Sequence, residues 1–138
     1  FNSRGEMLLQ RRHPEKDGWP GMWDITMGGS AVAGDDSRTA AEREVLEEMG
    51  IQVDLSGVRP VLTKHRPHIF DDFYFVDMDI ALEDLRLQPE EVCDAKWADE
   101  AEALRMLDAG EFIPYHKSFI SLLFDLHRHG GNIHRYEE

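Results

Sequence analysis

One run of residues, DSRTAAEREVLEEMGI from Asp36 to Ile51, constrains the local structure of this chain more than any other. Asp36 or Ser37 can cap a helix at its start, and Gly50 suits the left-handed residue that closes one, so the spacing predicts a helix over 37–49. Ala41, Val45, Leu46 and Met49 give that helix an apolar side able to face a core. Glu44, Glu47 and Glu48 fall within an arc of roughly 100°, because positions three and four apart are neighbours on a helix surface. Like charges so spaced weaken a helix unless solvent disperses them or a cation sits among them. Hard carboxylate oxygens suit Mg²⁺ or Mn²⁺ rather than zinc. A solvated acidic face explains the same spacing, and the residues alone leave the two readings level.

The rest of the chain bounds the class. At 138 residues it is read as one domain over 1–138, large enough to bury a core. A net charge of −13 argues against binding long nucleic acids through their phosphates, which takes a basic footprint, though a nucleotide held through bound metal remains compatible. No apolar run is long enough to span a membrane, and the single Cys93 excludes an intrachain disulfide framework, so a reducing cytoplasm is the expected location. Cys93 is expected to be a buried structural thiol among apolar neighbours.

Strands and helices interleave, which makes the class α/β or α+β. Phe1 to Glu6 reads as the end of a strand and a turn, followed by a strand over Met7 to Arg12. Trp19 to Asp24 is turn-forming, and Asp24 to Met27 is a short strand running into Gly28-Gly29. Two further strands are expected at about Val58 to His65 and Asp72 to Leu82. In the second, Tyr74, Val76, Met78 and Ile80 alternate with Phe73, Phe75, Asp77 and Asp79. A strand at about Val92 to Ala98 leads to a helix at about Glu100 to Ala109. A last helix, about Tyr115 to His129, carries Phe119, Leu122, Leu123 and Leu126 on its apolar side. His127, His129 and His134 are expected in a solvated tail, and His65 and His68 in a polar loop. Trp19 and Trp23 suit burial beside the turn as well as stacking on a base. Arg11 and Arg12 alternate faces, so at most one should reach a site.

With Gly29 as its first glycine, the central run resembles the Nudix box, G-x5-E-x7-R-E-U-x-E-E-x-G-U with U aliphatic. Gly29, Arg43, Glu44, Val45, Glu47, Glu48, Gly50 and Ile51 fall in register, and Asp35 stands where the pattern has Glu. The resemblance implies an α/β/α sandwich around a central mixed sheet, with an opening strand ahead of Phe1. It implies a Mg²⁺ cofactor, with Mn²⁺ as substitute. Glu47 and Glu48 are then direct ligands, Glu44 a ligand or the base that positions water, and the backbone carbonyl of Gly28 a further ligand. Arg43 would pair with a box carboxylate and fix its rotamer. Nudix enzymes often add an acidic residue from a distant loop, and Glu91 is the candidate here, with Asp71 and Asp72 as weaker ones.

The implied activity is metal-dependent cleavage of a phosphoanhydride in a nucleoside diphosphate or triphosphate derivative, a small-molecule partner. The substrate itself is not written in the box, and a homodimer is compatible with the chain. The stretch Trp19 to Gly29 also resembles a bacterial branch related to isopentenyl-diphosphate isomerase, which makes that isomerase the rival. That family uses a Cys before its Gly-His pair and a metal-binding His within it, and this chain has Met27 and Gly29 there. A catalytically silent nucleotide-binding module is the third reading, against which the complete set of box carboxylates speaks.

Overall fold

The computed structural model describes residues 1–26 and 36–130. Strand β1 (Met7–Arg12) lies between β2 (Trp23–Ile25) and β5 (Val92–Ala98) in an antiparallel sheet. β3 (Leu62–Arg66) and β4 (Ile69–Phe73) form a separate hairpin. The helices are α1 (Ser37–Met49), α2 (Glu100–Asp108) and α3 (Lys117–His129).

Period-two alternation along β1 explains the layering. Leu8 joins Met49, Ile51 and Val92 in a cluster on the α1 side, whereas Met7 and Leu9 join Ala103, Met106, Phe112, Ile120, Leu123 and Phe124 on the α2/α3 side. Both faces of the strand are thus covered, which is the expected α/β/α sandwich. The named ladders are all antiparallel, and one isolated parallel bridge joins Trp23 to Phe112.

The helix predicted over 37–49 is present with those bounds. Asp36 accepts a hydrogen bond from the Arg38 backbone N–H, and Gly50 closes the helix at φ 69°. Its apolar side is narrower than expected: Met49 and Ala40 are buried, but Leu46 is 46% exposed. A single sheet face reaches only a narrow stripe of a helix, and Leu46 lies beyond it. On α3 the sealed residues are Ile120, Leu123 and Phe124, while the expected Leu122 faces outward for the same reason.

The strand expected from Asp72 to Leu82 ends at Phe73. The alternation beyond it is real, since Phe75 packs on the α3 side and Met78 and Ile80 on the α1 side. Among the described residues, however, the backbone there bonds little more than Phe1, through Phe1 N–H to Val76 O and Met78 N–H to Phe1 O, and so forms no ladder. Phe1 sits in that short pairing rather than in a strand of its own. Cys93 is exposed, not buried, because it lies on the outer strand β5 facing away from Val92. His127 is not in a solvated tail either. Its ring stacks on Phe1 at 3.8 Å and its Nε2 lies 2.6 Å from Asp77. His134 lies outside the described residues, as does Met27.

Candidate functional site

The C-terminal end of α1 gathers the site. The last carbonyls of a helix have no partner within it. Here the Glu48 carbonyl accepts from Gln88 N–H at 2.9 Å and the Met49 carbonyl from Arg86 N–H at 3.0 Å. These bonds dock the segment 86–91 on the helix end, and Gly50 makes the approach possible. A Cβ at Gly50 would stand 2.8 Å from Cβ of Arg86, besides being strained at its left-handed φ. Glu91 follows directly, its N–H bonded to Gln88 O at 3.0 Å and its carbonyl to His13 N–H at 3.0 Å. A residue remote in sequence is thereby fixed against both α1 and the loop 13–22.

Glu44, Glu48 and Glu91 lie close enough to sense one another's charge. Burial raises the proton affinity of Glu48 above the ordinary carboxylate range. The hydrogen bond from Gln10 opposes this rise, and the charges of Glu44 and Glu91 add to it. Glu44 is raised for the same leading reason, desolvation, with Glu47 and Glu91 adding and Arg43 opposing. Glu47 is exposed on the outer side of the same turn. Arg43 is exposed, and it makes no hydrogen bond or ion pair among the described residues, so the expected pairing with a box carboxylate is not formed. Glu44, its sequence neighbour, feels the Arg43 charge without a hydrogen bond to it. Glu47 is four residues on, with the basic residue first, the weaker order for such pairs.

Two residues of the site carry no signature in the box. Lys16, in the loop 13–22, forms an ion pair with Glu91 Oε2 and also opposes the raised proton affinity of Glu44 and Glu48. Gln10, on the α1 face of β1, donates from Nε2 to Glu48 Oε2 at 3.4 Å, a long bond, while its Oε1 is buried without a partner. A glutamine two positions after Leu8, directly following three apolar residues, was the available signal for it. Lys16 had none, since it stands in a run of ordinary charged loop residues.

The other expected participants are occupied elsewhere. Asp72 accepts from Ser37 Oγ at 2.7 Å and Thr63 Oγ1 at 2.6 Å, and Asp71 pairs with Arg66 at 3.0 Å, all at the opposite end of α1. Arg11 and Arg12 both clamp the loop 13–22, donating to Gly21 O at 2.9 Å and to Gly18 O at 3.1 Å. His65 and His68 belong to the exposed β3–β4 hairpin. Trp23 is half-buried with the Lys96 ammonium over its ring, whereas Trp19 is 53% exposed. Gly28 and Asp35 lie outside the described residues.

An all-oxygen donor set of partly desolvated carboxylates fits Mg²⁺ or Mn²⁺ in chemistry. Among the described residues no three acidic, His or Cys side chains yet stand at mutual ligand spacing. Glu44 and Glu48 lie within electrostatic reach of each other and of Glu91.

A family profile described as the NUDIX domain matches residues 1–122. An uncharacterised Nudix hydrolase of Listeria monocytogenes is 47% identical over 126 residues, covering 91% of this chain and 73% of that protein. An isopentenyl-diphosphate Delta-isomerase of Escherichia coli is 28% identical over 79% of this chain and 63% of that protein. Among solved structures, DR0079 from Deinococcus radiodurans superimposes with a TM-score of 0.70 at 22% identity, over 88% of this chain and 76% of that one. An Ap4A hydrolase of C. elegans does so with 0.60 at 20% identity, over 89% and 87%. Those structures share the fold, and the match over residues 1–122 together with the Listeria relative establishes that this chain belongs to the Nudix hydrolases.

Proposed function

We propose that the protein is a Mg²⁺-dependent pyrophosphohydrolase that cleaves a phosphoanhydride bond in a nucleoside diphosphate or triphosphate derivative. The observation that supports this most is the position of Glu91, tied by backbone bonds to the end of α1 and within electrostatic reach of Glu44 and Glu48. A solvated acidic helix would not need a remote carboxylate brought against it.

In this reading Glu44, Glu47 and Glu48 hold the cation, with the Gly28 carbonyl as a further ligand. When bound, Mg²⁺ neutralises phosphate oxygens and makes water more acidic. Water attacks one phosphorus, the bridging P–O bond breaks, and the departing phosphate carries the electron pair. Glu91 takes the water proton, the task its place beside the cluster suits. Arg43, exposed on the same turn, is available to anionic substrate or to Glu47. The exposed, unpaired Cys93 accords with a reducing cytoplasm. No helix among the described residues is long and apolar enough to cross a membrane.

The test is a phosphate-release screen over nucleoside di- and triphosphates, nucleotide sugars and isopentenyl diphosphate, with and without Mg²⁺. Metal-dependent release from one class is expected, with Glu48→Gln lowering turnover by at least about 100-fold while the fold stays intact. Unchanged turnover in that variant would reject the site, and double-bond migration without phosphate release would favour the isomerase.

A further inference from the structure

We propose that Lys16 is an internal counter-ion that an incoming divalent cation displaces from the carboxylate cluster, and that the freed ammonium then contacts the phosphate oxygens of the substrate. This rests on the reading of Glu44, Glu48 and Glu91 as a metal-binding cluster.

The lysine is held where it can act in this way. Its ammonium pairs with Glu91, with the two side chains only 24% and 35% exposed. Its charge also reaches Glu44 and Glu48. The backbone position is built, because Lys16 N–H bonds His13 O at 3.1 Å, and His13 N–H bonds the carbonyl of Glu91 itself. Arg12 secures the far side of the loop through Gly18 O and, at 3.3 Å, Asp17 O. Glu48, by contrast, receives one long bond from Gln10, whose Oε1 is buried without a partner. The ammonium therefore supplies positive charge that a dication would bring in greater measure. Two cations in one partly desolvated cluster repel, so the monovalent, tethered one leaves its carboxylate as the dication enters. A nucleoside diphosphate or triphosphate arriving with the metal presents anionic oxygens to a lysine on a short tether.

The experiment uses the full chain, metal-free and without substrate, titrated with Mn²⁺ by calorimetry. Lys16→Met is expected to bind Mn²⁺ about 10-fold more tightly than wild type, and Lys16→Arg about equally to wild type. With Mn²⁺ saturating, inorganic pyrophosphate should bind Lys16→Met about 10-fold more weakly. A merely structural lysine would shift neither equilibrium in these opposite directions. Unchanged or weaker Mn²⁺ binding by Lys16→Met, in a protein whose wild type binds Mn²⁺, overturns the proposal and leaves the metal cluster standing. Unchanged pyrophosphate binding overturns its second half. A wild type that binds no Mn²⁺ removes the cluster and the proposal together. Lys16→Gln, also uncharged, gives the same reading if Lys16→Met does not fold.

Discussion

α3 and α1 each run thirteen residues, yet α3 seals Ile120, Leu123 and Phe124 while α1 fully buries only Ala40 and Met49. Around α3 the contacts are apolar and aromatic, with Phe119 edge-on to Phe73 and Phe124 edge-on to Phe1. Around the end of α1, Met49 is sealed in a smaller apolar cluster with Leu8, Ile51 and Val92, and beside it stand backbone hydrogen bonds to carbonyls, one long side-chain bond and an ion pair. The α3 side carries the larger share of the apolar burial that stabilises the fold. The α1 end keeps carboxylates partly desolvated and charged together, at a cost the rest of the fold offsets.

The largest test of this contrast is Phe124→Ala. Removing a fully buried ring from the α3 cluster should cost about 3–5 kcal/mol in denaturant unfolding, with activity per folded molecule nearly unchanged. A cost below about 1 kcal/mol would mean that the α3 side does not carry the larger share of that stabilisation. Gly50→Ala acts at the junction. It forces a side chain into the left-handed region and against Arg86, so a loss of about 1–3 kcal/mol is expected, accompanied by reduced turnover as Glu91 moves from the cluster. Stability lost with turnover intact would show that the docking of segment 86–91 does not position the site.

Asp24 sharpens the contrast from between the two regions. It is buried, and desolvation raises its proton affinity; Tyr115 O–H at 2.7 Å and Ile25 N–H at 2.8 Å oppose that rise. The folded protein therefore binds this proton more tightly than the unfolded chain. The associated stability is fully present below the ordinary carboxylate pKa and is lost as pH climbs through the raised one. Asp24→Asn retains an oxygen to accept both bonds and has no charge to bury. It should be more stable than wild type at pH 7, with the difference closing as pH falls toward the ordinary carboxylate range. A variant less stable at pH 7 would show that Arg12 and Lys16, the nearby cations, outweigh burial.

Much of this was legible in the sequence where the signal was local. Asp36 and Gly50 bound α1 because caps are written in single residues, and β1 and β5 stand where short strand-forming runs placed them. Glu91 could be named as a candidate from its place ahead of the Trp97 strand. Signals that depend on tertiary partners misled. The alternation after Phe73 predicted a strand, but a strand also needs a ladder, and pairing with Phe1 alone does not make one. Leu46, Leu122 and Cys93 were expected against the core because periodicity gives a direction without saying how wide the covering surface is. His127 looked like part of a tail, and only the stack on Phe1 and the contact with Asp77 place it. Lys16 was illegible because its role comes from a backbone bond between His13 and Glu91 that no spacing rule encodes.

The central claim is that Glu48 on α1 and Glu91 from the distant segment serve one metal-dependent site. A double-mutant cycle of Glu48→Gln and Glu91→Gln tests it most directly, with Mn²⁺ affinity of the metal-free protein measured by calorimetry. The account predicts non-additive losses, with a coupling of about 1 kcal/mol or more between the two substitutions. Losses that add within about 0.3 kcal/mol would contradict it and leave α1 an acidic surface with an unrelated carboxylate nearby.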